Sequence, residues 1–87
     1  MSVAQKGELT MDKLMKLLGD IRPDLDFSKE EKLVDDNLLD SFDILTIVGE
    51  INTAFDININ VWDLVPENLN SAKAMWELIN GINKVNA

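Results

Sequence analysis

The 87-residue chain contains no cysteine and no histidine. Without cysteine there are no disulfide staples and no thiolate metal sites, and without histidine the commonest metal ligand and general base are missing. The core must then come from packed apolar side chains, which make up 46% of the residues and suffice for one small domain. A domain of this size buries only about 60–65% of its unfolded surface, which predicts modest stability. Cations are scarce too. Eight Lys and Arg stand against sixteen Asp and Glu, a formal charge of −8. Phosphate contacts need clustered cations, so nucleic acid is not an expected partner. An acidic surface suits solubility and encounter with basic proteins. The apolar runs fall far short of the roughly 20 residues that span a membrane, so no insertion is expected. Residues 1–8, MSVAQKGE, lack the apolar core of a secretory signal and read as a flexible tail. With the missing cysteines, this points to a cytoplasmic protein.

What is present reads as helix. Thr10 is placed to cap a helix over about 11–21, with Leu14, Leu17, Leu18 and Ile21 at helical spacing and Pro23 to stop it. Residues 23–40 keep no sustained period, and a connection this long in so small a domain is usually functional or pinned. Leu25, Phe27, Leu33, Val34, Leu38 and Leu39 are the expected pins, while Ser28 and Glu31 form a capping-box pattern for a short helical turn. A second helix is predicted over about 41–55, with Asp40 as N-cap and Asp43 in the first turn, where the helix dipole favours a carboxylate. Ile44, Ile47, Val48, Ile51 and Phe55 make its core stripe, with Thr46, Glu50 and Thr53 on the other side.

Three residues of that helix do not fit the stripe. Phe42, Leu45 and Gly49 lie roughly 100–160° from its centre. Either the long loop folds over Phe42 and Leu45, or they form a docking patch beside Ser41. Further on, DININVWDLV (residues 56–65) alternates like a strand. A lone strand has no independent stability, so an extended loop with a helical turn near 61–64 is expected. A last helix should run from residue 70 or 71 to 80, burying Ala72, Met75, Trp76 and Ile79, with Gly81 as its stop. The class is all-α: a small three- to four-helix bundle with a long loop between its first two helices, one domain over residues 9–83.

Two chemistries fail on the residues. Asp56, Asn58, Asn60 and Glu67 fit positions 1, 3, 5 and 12 of a calcium loop, but the glycine needed for its sharp turn is Val61. Ile57 and Ile59 interleave apolar side chains that want a core, and Pro66 is expected to disrupt the helix that should begin near position 10 of such a loop. Ser41 could be a nucleophile, yet it has no histidine base, no S-x-x-K partner and no G-x-S-x-G setting, and the aspartates around it disfavour an alkoxide. That leaves Ser41 as an ordinary helix-start residue or as a hydroxyl that another enzyme modifies. A phosphodiester attached there would sit near the positive end of the helix dipole.

The segment LLDSFDILTIVGEINTAFDINI (residues 38–59) resembles the acyl and peptidyl carrier proteins. Their hallmark is a D-S-L-type tripeptide opening the second helix, here Asp40-Ser41-Phe42. An amphipathic helix follows, then a terminal phenylalanine and acid, here Phe55 and Asp56, then an isoleucine, here Ile59. The likeness covers about residues 10–80. It implies that a dedicated transferase attaches 4′-phosphopantetheine from coenzyme A to Ser41, with Asp40 and Phe42 helping that enzyme recognise the site. It further implies a monomeric, non-enzymatic carrier that hands an acyl thioester to acyl-loading and acyl-transfer enzymes. Phe42, Asp43, Leu45, Gly49 and Glu50 would face those partners. No resident metal is implied. The second helix departs from the glutamate-rich pattern of fatty-acid carriers, and Asn60 replaces the usual proline. LLDSF is similar to the D-alanyl and peptidyl carriers, while Asp43 follows the fatty-acid pattern. The subtype stays open between them.

Overall fold

The computed structural model describes residues 10–86, and side chains from Thr10 to Ile82. Its elements are α1 (Met11–Ile21), α2 (Ser41–Phe55), a single 3₁₀ turn (Val61–Asp63), α3 (Pro66–Leu69) and α4 (Ala72–Asn86). The described residues are all-helical, a small bundle in which α1 packs against both α2 and α4 and α3 packs against α4. The predicted tail, residues 1–8, lies outside the described residues.

Local chemistry accounts for each helix. Thr10 caps α1 by accepting the N–H of Lys13 at 3.1 Å, and the N–H of Arg22 closes it on Leu18 O at 2.9 Å. At α2 the capping box is complete, with Asp43 N–H donating to the Asp40 carboxylate at 2.8 Å and Asp40 N–H returning to Asp43 Oδ2 at 3.3 Å. The helix ends on Asp56 in the left-handed region (φ 56°), a conformation that aspartate tolerates better than most residues. Asn52 then captures the chain, taking the N–H of Ile57 on its carbonyl and the N–H of Ile59 on its side chain. Residues 57–60 are extended, as their alternation predicts: Ile57 and Ile59 are buried while Asn58 and Asn60 are exposed. No strand partners them among the described residues.

The core comprises Leu14 and Leu18 of α1, Ile47, Val48, Ile51 and Phe55 of α2, and Ala72, Met75 and Ile79 of α4. The long loop contributes as well. Phe27, Leu33 and Leu39 are buried, and Leu25, Val34 and Leu38 pack half-buried against them. Each fully buried leucine offsets roughly 1.5–3 kcal/mol of loop-ordering cost. These six pins are the six read from the sequence.

Three local expectations change. The turn after α1 forms around Asp26, which accepts both the backbone N–H and the hydroxyl of Ser28, and no helix spans residues 28–33. The acid two residues earlier outcompetes the Ser28–Glu31 box because it closes a tighter local ring. Pro66 opens a helix: it occupies the first position of α3, where a missing N–H costs nothing. Finally, α4 starts at Ala72 with the Ser71 hydroxyl accepting the N–H of Ala74, and it runs through Gly81 to Asn86. Glycine costs about 1 kcal/mol inside a helix. Ile79 and Ile82, packed on the core on either side of it, outweigh that cost.

Candidate functional site

Ser41 is the first residue of α2 and is exposed. Among the described residues its hydroxyl makes no hydrogen bond, so nothing there activates it or holds it back. Asp40, just before it, is also exposed and committed to the cap. The hydroxyl therefore stands at the positive end of a 15-residue helix, beside free N–H groups that favour an anion.

The apolar residues beside it are uncovered. Phe42 is 76% exposed and Leu45 64% exposed, so the long loop does not fold over them. Phe42 and Leu45 thus hold two large apolar side chains in water on the first turns of α2, beside Ser41. Gly49 is exposed one turn on, and a methyl group built there would meet nothing within 4 Å. Glu50 is exposed as well. Thr46 and Thr53 turn their hydroxyls back onto the carbonyls of Phe42 and Gly49, which hides their donors from any partner.

Asp43 sits differently from the other four proposed partner residues. Its side chain is only 17% exposed, and its Oδ2 is held by Arg22 Nη1 at 2.6 Å as well as by the Asp40 N–H. Its charge is balanced within the molecule. On α2 this leaves Glu50 as the one exposed acid.

Two further residues shape the site without showing in helical or motif patterns. Arg22 is the sole arginine of the chain. Its guanidinium also donates to Leu38 O at 3.0 Å and grips Asp24 with two hydrogen bonds, of 2.9 and 2.8 Å. The Asp24 hydrogen bond raises the arginine above its ordinary pKa, and the same bond lowers that of Asp24. Asp26 is lowered chiefly by its hydrogen bonds from Ser28. Asn70, between α3 and α4, pins the middle of the loop: Oδ1 accepts from Val34 and Asp35 N–H, and its carbonyl accepts from Leu33 N–H. A lone arginine next to a proline in an acidic chain was the available signal for Arg22. Asn70 gave none, because its partners lie 35 and 36 residues away.

Other features bear on what the site can do. A hollow of about 790 Å³ lies away from Ser41 between α1, the long loop and the start of α4, over Met11, Met15 and Phe27. Met75 is buried in the core, whereas Trp76, expected to be buried, is half-buried and packs edge-on against Phe55 at 6.4 Å from the rim of the core. Among the described residues no group of three or more acidic side chains is arranged to hold a metal ion. Asp56, Asn58 and Asn60 are exposed along an extended segment whose isoleucines are buried, which is not a loop wrapped around a cation. Among the described residues no helix is long and apolar enough to cross a membrane. Val61 and Trp62 form a second exposed apolar pair, at 68% and 83%. No family model matches this chain, and no curated protein or solved structure is detectably similar to it.

Proposed function

We propose that this chain is a carrier protein whose Ser41 receives 4′-phosphopantetheine from coenzyme A. The observation that carries the reading is an exposed serine hydroxyl, without a hydrogen bond among the described residues, at the first position of a well-capped helix and flanked by the uncovered side chains of Phe42 and Leu45. In the transfer, Ser41 Oγ forms a bond to the pantetheine-side phosphorus as the diphosphate bond breaks. Adenosine 3′,5′-bisphosphate leaves, and the hydroxyl proton passes to the transferase. The chain needs no base of its own, which fits a sequence without histidine. The site fits the attached group: the hydroxyl is accessible, and the N-terminal N–H groups of α2 favour its phosphodiester charge. When attached, the arm ends in a thiol that carries an acyl group as a thioester. It thereby supplies the sulfur that a chain without cysteine lacks.

The residues of this chain present and orient. Asp40 fixes the helix start, Phe42 and Leu45 offer apolar contact to the transferase and to acyl-transfer enzymes, and Gly49 and Glu50 extend that face. Tethering the cargo raises its effective concentration at each partner. The carrier is a monomer that performs no chemistry of its own, working in the cytoplasm in fatty-acid, polyketide or related biosynthesis. An aminoacyl or D-alanyl cargo is the second reading. It is favoured by the apolar character of α2, whose only exposed acid is Glu50.

Intact mass after incubation with coenzyme A, magnesium and a broad-specificity transferase should rise by one phosphopantetheine unit, and Ser41→Ala should abolish the gain. No gain with several transferases would overturn the proposal. A pure interaction module would instead keep its partner in Ser41→Ala and lose it in Phe42→Ala.

A further inference from the structure

The guanidinium of Arg22 touches the chain on both sides of Ser41. Nη1 donates to Leu38 O, three residues before the serine, and to Asp43 Oδ2, two residues after it, at 3.0 and 2.6 Å. The opposite edge is occupied by Asp24, whose two oxygens meet Nε and Nη2 and fix the plane of the fork. Asp43 Oδ2 also accepts the Asp40 N–H, so the helix cap and the arginine share one oxygen atom. The other backbone hydrogen bonds here are local, with the N–H groups of Leu38 and Leu39 both donating to Leu33 O, while the buried Leu39 side chain anchors the segment in the core.

From this arrangement we infer that Arg22 is a positioning residue for the modification of Ser41, a clamp from the end of α1 that holds residues 38–43 in the form a transferase engages. The inference rests on the carrier reading for its consequence. Among the described residues the guanidinium bonds only Asp24, Leu38 and Asp43, so its loss acts first on the order of this segment. Lysine could replace one of these bonds and not the fork. If the competent form of the segment is populated for a smaller fraction of the time, apparent affinity for the transferase falls by that fraction and the chemical step is untouched.

The test uses the full chain as wild type, Arg22→Ala and Arg22→Lys, with one transferase and coenzyme A. Phosphopantetheine transfer is followed by mass spectrometry, and amide hydrogen exchange is measured on the same proteins. Arg22→Ala should raise KM for the carrier about 3–10-fold with kcat nearly unchanged, as expected from a loss of competent population, and Arg22→Lys should fall between it and wild type. Exchange should quicken markedly more at Leu38, Leu39, Asp40 and Asp43 than at Ile47 and Ile51. A wild-type KM in Arg22→Ala, or faster exchange spread evenly along α2, overturns the inference and leaves the carrier reading standing. Wild-type protein that no transferase modifies overturns both. If Arg22→Ala does not fold, Arg22→Lys against wild type decides on the same readouts.

Discussion

Asn70 and Val34, 36 residues apart, are joined by a hydrogen bond of 2.9 Å from the Val34 N–H to the Asn70 side-chain oxygen. The same oxygen takes the Asp35 N–H at 3.0 Å, and Asn70 Nδ2 returns a hydrogen bond to the Asp35 carboxylate at 3.1 Å. One side chain thus serves three groups of the loop that leads to Ser41. Asn70→Ala would leave the half-buried Val34 N–H without a partner, at a cost of about 1–3 kcal/mol. Asn70→Asp keeps an acceptor but sets a second carboxylate against Asp35, so it too should destabilise. Urea unfolding of the three proteins measures both, and an unchanged midpoint in Asn70→Ala would remove Asn70 as a pin.

Phe42 and Leu45 should separate stability from recognition. Both are exposed, so Phe42→Ala and Leu45→Ala should each change unfolding free energy by no more than about 0.5 kcal/mol. Burial under a partner is worth roughly 1.5–3 kcal/mol for side chains of this kind, so the same variants should be modified at least several-fold more slowly. Thermal melts and transfer kinetics on one preparation check the pair. A fall in melting temperature matching the loss of transfer would mean that these residues support the fold.

Gly49 invites the opposite experiment. Its surroundings are open, so Gly49→Ala adds a methyl group without a clash and removes the entropic cost of a mid-helix glycine, stabilising by about 0.5–1 kcal/mol. If partners approach that face closely, the stabilised variant should nonetheless be a poorer substrate for acyl transfer. A higher melting temperature with undiminished transfer would show that partners do not need the space.

Acidification should act through the carboxylates whose pKa is held down. Asp24 is lowered below its ordinary 3.8 by Arg22, and Asp26 is lowered by Ser28. A depressed carboxylate contributes stability above its unfolded pKa and loses it as pH falls through the folded one. Melting temperature should therefore decline as pH drops below about 4, and Arg22→Ala should flatten the part that belongs to Asp24. Parallel pH–melting curves for the two proteins would contradict the Arg22–Asp24 linkage.

Much of this was legible in the chain itself, wherever one residue and its neighbours within a turn suffice. The stripe of Ile47, Val48, Ile51 and Phe55, the caps Thr10 and Asp40, and the alternation of Ile57 and Ile59 all follow from side-chain chemistry at fixed spacing, so helix limits for α1 and α2 agree with the structure residue for residue. The candidate serine belongs to the same class, since its place at a helix start is a local property. Gly81 and Pro66 misled because each has two local meanings, stop or pass and break or begin, and packing selects between them.

Other features required the folded chain. Whether the loop covers Phe42 and Leu45 depends on where Phe27, Leu33 and Leu39 find burial, which no spacing encodes. Whether Asp43 is offered to a partner depends on Arg22, 21 residues upstream, reaching it across the gap between two helices. Periodicity reports which face of a helix is apolar. Only the meeting of faces from distant segments settles which charges are already spent and which side chains are left in water.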